Sequence, residues 1–195
     1  MDTPAGSWGR TEEALEWSRR ARELDPLRVR GVGEGWILFH ARRFEDAIRQ
    51  LRSVLAVYPD DSEAQWFLGF ALIGNGQSKE AIPLLEKTVS VMHRSPGSIE
   101  LLATAYAHAG RRKEAIRLVE ELKRLRKTSY VPTGAFINPT LALGQYDEAF
   151  FWFEQAYKEQ SNILQFLKVH PFFDPVRGDP RFADLLRRVG LDQSR

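Results

Sequence analysis

A catalytic or metal-binding reading of this 195-residue chain has to begin with its four histidines, His40, His93, His108 and His170. No two of them stand at i, i+3 or i+4, and there is no cysteine to supply a thiolate. A zinc-type site would need ligands brought together from distant segments. Neither G-x-S-x-G nor H-E-x-x-H occurs, and no glycine loop has the form that cradles a phosphate. The Asp and Glu residues fall in helix slots beside Arg or Lys, where solvated ion pairing accounts for them. The sequence therefore implies no catalytic residue, no metal and no cofactor, and the expectation is that the chain is not an enzyme.

Two stretches could do the chemistry of recognition instead. Residues 111–127 carry eight cations, Arg111, Arg112, Lys113, Arg117, Lys123, Arg124, Arg126 and Lys127, against Glu114, Glu120 and Glu121. Nucleic acid or another anionic partner could use such a cluster. It lacks stacking aromatics, however, and the same helix has to bury Ala115, Leu118, Val119 and Leu122, so a solvated helix face is the favoured reading. Apolar recognition is open to a second set: Trp36, Phe39 and His40, then Trp66, Phe70 and Ile73, followed by Thr104 and His108. Whether these residues share a surface depends on the elements that carry them.

Those elements repeat. RRFEDAIRQLRS, GQSKEAIPLLEK, GRRKEAIRLVEE and GQYDEAFFWFEQ place Ala47, Ala81, Ala115 and Ala149 at one constant interval along the chain. Four residues after each alanine comes Leu51, Leu85, Val119 or Phe153, so small and bulky apolar residues share one helical face. Gly35, Gly69 and Ala103 each precede one of the alanines by the same offset, where a small residue lets a first helix lie against a second. GNG at 74–76 and AGRR at 109–112 mark turns, and Pro59 marks a helix end. The interval between the alanines is that of tetratricopeptide (TPR) repeats, helical pairs with a period of about 34 residues.

The spacing predicts a single array over 1–195, with repeats at 28–61, 62–95, 96–129 and 130–160. Residues 11–26 read either as the second helix of a repeat lacking its first or as an N-terminal capping helix. Ala14 precedes Ala47, and Pro26 precedes Pro59, by one position less than a full period. The fourth repeat departs from the pattern: Ile137 takes the small-residue position, and Pro139 predicts a kink or break in the first helix. Residues 161–191 predict a short helix, a proline-punctuated turn and a capping helix. In that last helix Asp179 serves as N-cap, Pro180 opens the first turn, and Phe182, Leu185, Leu186 and Val189 form one apolar stripe. The predicted fold is an all-α, right-handed TPR-like helical-hairpin solenoid with a C-terminal capping helix.

The segments ARRFEDAIRQLRSVLAVYPDDSEAQWFLGFAL and FFWFEQAYKEQSNILQFLKVHPFFDPVRGDPRFADLLRRVGL resemble the TPR arrays that close many bacterial multidomain regulators. Such arrays follow winged-helix, nucleotide-cyclase or serine/threonine-kinase domains. The resemblance implies a sensory or scaffolding half that works with an effector domain of the same system.

Composition agrees with a folded domain: 43% hydrophobic, 28% charged and a net charge of +2. No apolar run approaches the roughly 20 residues that span a bilayer. The N-terminus has no secretory leader and cysteine is absent, so a cytoplasmic location is expected. In stacked helical pairs the first helices line a concave face, which places Trp36, Phe39, His40, Trp66, Phe70, Ile73, Thr104 and His108 there. The expected function is a protein-protein interaction scaffold binding an apolar or amphipathic peptide, with the basic helix 111–127 as the alternative. The Lys, Arg and Asn that grip acidic tails are missing from these positions. The sequence leaves the oligomeric state open.

Overall fold

Four hairpin loops are closed by one backbone device. Arg42, Gly76, Gly110 and Gly144 adopt left-handed conformations, with φ of 59°, 75°, 78° and 70°. Just after each, an N–H reaches five residues back to a carbonyl: Arg43 to Leu38 at 2.9 Å, Gln77 to Leu72 at 2.8 Å, Arg111 to Tyr106 at 2.8 Å and Gln145 to Thr140 at 2.9 Å. The bond satisfies a carbonyl that the ending helix would otherwise leave without a partner, and it turns the chain back on itself.

The computed structural model describes residues 6–25 and 30–192, and among these every regular element is helical. The chain divides into two compact units, Met1–Met92 and His93–Arg195. In the first, α1 (Gly6–Leu24) packs on α2 (Val32–His40), which forms a hairpin with α3 (Phe44–Val57). A second hairpin joins α4 (Ser62–Gly74) to α5 (Ser78–Val91), and α4 lies against both α2 and α3. Asp61 caps α4, its carboxylate accepting from the N–H groups of Glu63 and Ala64 at 3.1 Å. Gly35 is needed where α2 meets α3: a Cβ there would sit 2.5 Å from Leu51 Cγ. Pro26, one of the period markers, lies outside the described residues.

In the second unit α6 (Pro96–His108) and α7 (Arg112–Leu125) form a regular hairpin. The next first helix is broken, as its proline requires. Thr133–Phe136 is a 3-10 turn, and only Ile137–Ala142, α8, is α-helical. Pro139 has no N–H to offer the Ala135 carbonyl and its ring crowds that position. Next to it, the Thr140 hydroxyl is spent on its own helix, within reach of the Phe136 and Ile137 carbonyls at 2.6 and 3.0 Å. α9 (Tyr146–Lys158) completes the pair.

Two 3-10 segments, Asn162–Phe166 and Pro171–Val176, stand where the sequence predicted a short helix and a turn, and α10 (Pro180–Arg188) follows. Asp179 caps α10 by accepting from the Arg181 N–H at 2.9 Å. Its apolar stripe is narrower than predicted, because Phe182 and Leu185 are buried while Leu186 and Val189 are half-exposed. Phe182 meets Phe153 of α9 and Phe173, at ring separations of 5.7 and 6.3 Å. Arg188 makes a two-bond ion pair with Glu154, at 2.7 and 2.9 Å.

Ala47, Ala81, Ala115 and Ala149 are wholly buried, as are Leu51, Leu85 and Phe153, with Val119 at 3% exposure. The recurring small–bulky pairs are therefore the seams of the helix pairs.

Candidate functional site

In the first unit, α2 and α4 bring six rings together. Trp36 is their hub. Its indole stacks on Phe39 at 5.1 Å and meets His40, Phe67 and Phe70 at 4.2, 4.8 and 5.3 Å. Trp66 joins from the other side, 5.0 Å from Phe67 and 4.9 Å from Phe70. The helical period explains the grouping: Trp36, Phe39 and His40 fall on one face of α2, and Trp66 and Phe70 are one turn apart on α4.

The cluster has an inside and an outside. Phe39 and Phe70 are only 1% and 3% exposed, and Ile73 is 4% exposed. Trp36, His40, Trp66 and Phe67 are half-buried. The expectation that Phe39, Phe70 and Ile73 face a partner is therefore corrected: these three belong to the core, where they brace the rings above them. Phe67, which the sequence reading did not select, belongs to the open layer. It stands one residue past Trp66 and so falls off the register that picked out the others.

Thr104 and His108 belong to the second unit. Thr104 is wholly buried and its hydroxyl donates to the Glu100 carbonyl of its own helix at 2.9 Å. It is a core residue, not a contact residue. His108 is exposed, with its ring 5.8 Å from that of Phe172.

The second unit also holds a buried polar pair, whose acidic member the sequence reading had placed with the solvated carboxylates. Glu100 is 7% exposed and Asn138 is 4% exposed. Asn138 Nδ2 donates to Glu100 Oε1 at 2.7 Å, while Asn138 Oδ1 is buried with no hydrogen-bond partner. Burial pushes the Glu100 carboxyl up to about 8, against the opposing effect of the Asn138 donor. The general placing of acidic residues in exposed slots also fails for Glu34 and Asp61, 6% and 8% exposed, which pair with Arg22 and Arg30.

Along the basic stretch, half of the cations are spent inside the unit. Arg111 pairs with Glu114 at 2.8 Å and lies 4.4 Å over the Tyr106 ring. Arg112 donates to the Leu143 carbonyl at 2.7 Å, Lys123 bridges Glu120 and Glu148, and Arg126 reaches Glu159 at 2.6 Å. Ala115, Leu118, Val119 and Leu122 are buried. Lys113, Arg117, Arg124 and Lys127 remain exposed. Among the described residues no group of three or more His, Asp or Glu side chains is placed to hold a metal ion. Nor is any helix among them long and apolar enough to cross a membrane.

The family model for the tetratricopeptide repeat matches residues 32–99. Among solved structures the chain is similar to the nearly identical TPR-like repeats of a Podosopora anserina kinesin light chain protein. The identity is 22%, with 98% of this chain and 97% of that chain covered and a TM-score of 0.44. A single-substitution variant of that protein gives the same values. No curated protein sequence matches the chain.

Proposed function

We propose that this chain, whose residues 32–99 are tetratricopeptide repeats, is a non-catalytic protein-interaction module. It holds an apolar or amphipathic segment of a partner protein against Trp36, Trp66 and Phe67. The observation that carries this reading is the layered ring cluster, with three half-open aromatics seated on buried Phe39 and Phe70. Braced rings lose little freedom when a partner arrives, and a few such anchors supply most of the affinity of an interface. The surrounding helices favour a short apolar segment over a flat globular face.

A second reading, an anionic partner on α7, is favoured by Lys113, Arg117 and Arg124, which fall on one exposed stripe of that helix. Steep salt dependence is its mark.

Peptides selected from a random display library on the immobilised chain supply the ligands for the test. The folded Trp36→Ala, Trp66→Ala double variant should bind them at least about thirtyfold more weakly. The Lys113→Glu, Arg117→Glu variant should bind as the wild type does. If the charge reversal abolishes binding while the aromatic variant keeps it, the aromatic reading is wrong and the basic helix is the site.

A further inference from the structure

The outward stripe of α7 carries more positive charge than the second unit neutralises. Lys113, Arg117 and Arg124 fall within about 40° of one another around the helix. Lys127 follows in the turn after it, and all four are exposed. They enter no ion pair among the described residues. One carboxylate, Glu120, lies on the same stripe, and Lys123 holds it at 2.9 Å. The other two of this helix are also taken, Glu114 by Arg111 and Glu121 by two nitrogens of Arg94 at 2.8 and 2.7 Å. Even with Arg94, Glu148 and Glu159 counted in, cations outnumber carboxylates around α7.

The basic stretch has no ring of its own, but the fold brings one beside it. Phe151 of α9 is the register mate of Arg117 one repeat later, and it is 53% exposed. The earlier residues of that register are Arg49 and Pro83, so the ring is peculiar to this pair of helices. α7 and α9 run close there. Lys123 reaches Glu148, one turn before Phe151, at 2.8 Å. The Arg126 guanidinium lies 5.5 Å over the Trp152 ring, which Phe151 meets edge-on at 4.9 Å. A second ring, Tyr130, is 84% exposed and follows Lys127 by three residues.

We propose that the outer face of α7 and α9 binds single-stranded nucleic acid, with the cation row along the phosphates and Phe151 and Tyr130 stacked on bases. Cations that track a backbone beside exposed rings are what sequence-tolerant binding of a single strand requires. From Lys113 to Arg124 the row extends about 16 Å, room for a few phosphates. A duplex fits less well, because its bases are already stacked and the two rings would meet only backbone. An anionic bilayer would lie across α9 and α10 as well, where the outer charges are already mated as Asp147 with Arg181 and Glu154 with Arg188. The proposal rests on the anionic reading of α7 and is separate from the peptide site on α2 and α4.

Fluorescence anisotropy of the full chain with labelled oligo-dT and oligo-U, each of about 30 nucleotides to exceed a single-strand site, tests it. The two strands separate DNA from RNA as the source. Either or both should bind at least about tenfold more tightly than a DNA duplex of the same length, polyglutamate or phosphatidylserine vesicles. The slope of log affinity against log salt should lie near −3, at about −0.7 for each of four cations. Phe151→Ala, with helicity retained, should weaken strand binding about tenfold at an unchanged slope. Lys113→Glu with Arg117→Glu should weaken it and flatten the slope. Display-selected peptides should bind both variants as they bind the wild type. Equal or tighter binding of the duplex, polyglutamate or vesicles, or indifference to Phe151→Ala, would overturn the single-strand proposal and leave the anionic reading in place. Failure to bind any of these polyanions would overturn both.

Discussion

Asn138 Nδ2 donates to Glu100 Oε1 at 2.7 Å across α6 and α8, with both side chains more than nine-tenths buried. The pair ties the folding of the second unit to pH. Burial raises the folded carboxyl to about 8 from an ordinary 4.5, so between those values the native chain holds a proton that the unfolded chain releases. The Glu100 contribution is therefore fully present below about pH 4.5 and is lost as pH rises toward 8. Urea melts at about pH 5 and pH 9 should show the wild type losing more stability across that interval than Glu100→Gln. The difference should be at least about 1 kcal/mol, one pKa unit being worth about that much. The variant's amide can in addition donate toward the unpartnered Asn138 Oδ1. Equal slopes for the two chains would show that Glu100 keeps its charge when folded.

The left-handed loop residues give a second prediction. Three of the four are glycine, and the fourth is Arg42, whose Cβ makes φ of 59° costly. Arg42→Gly should raise stability by about 0.5–1 kcal/mol. Gly76→Ala should lower it by about 1 kcal/mol through backbone strain alone, because a Cβ there meets nothing within 4 Å. Denaturant midpoints at constant m-value read both.

Packing at the helix seams gives a third. Ala81 and Leu85 are wholly buried at the contact of α4 with α5. Ala81→Leu should overpack that seam at a cost of about 1–3 kcal/mol. Leu85→Ala should leave a cavity and cost about 2–5 kcal/mol. Changes within about 0.5 kcal/mol of wild type, the size usual for surface substitutions, would contradict the seam assignment.

The terminal helix gives a fourth. Removing residues after Gly178 strips Phe182 and Leu185 from the second unit, parts Phe182 from Phe153 and Phe173, and deletes the Arg188–Glu154 ion pair. The truncated chain should melt several degrees lower and associate through the uncovered rings. An unchanged melt from a monomeric truncation would mean that α10 is ornamental.

The period was legible because Ala–Leu and Ala–Phe pairs recur at a fixed interval, and because Gly76, Gly110 and Gly144 punctuate it. Arg42 was hidden, since nothing about an arginine announces a left-handed turn. At the candidate site, register located Trp36 and Trp66 but could not say which rings would be covered. Phe70 shares the register position of Trp36, yet the rings of Trp36 and Trp66 close over it at 5.3 and 4.9 Å. That outcome depends on side chains from a neighbouring helix, which periodicity does not weigh. Glu100 and Asn138 were within reach of the same reasoning. They are the later register mates of Trp66 and Trp36, but Glu100 was grouped with the solvated carboxylates by its type and Asn138 was not selected.

The loop closures seen in every hairpin also bear on how the chain reaches its fold. Each is a bond across five residues, so each hairpin can form before any distant part of the chain arrives. An architecture assembled from such near-neighbour contacts has low contact order, folds quickly and can start from more than one place. The hairpin with the six-residue α8 has the least helix to nucleate with. Its amides should be the last of the four to gain protection in a pulsed hydrogen-exchange experiment, after the longer pairs have already closed.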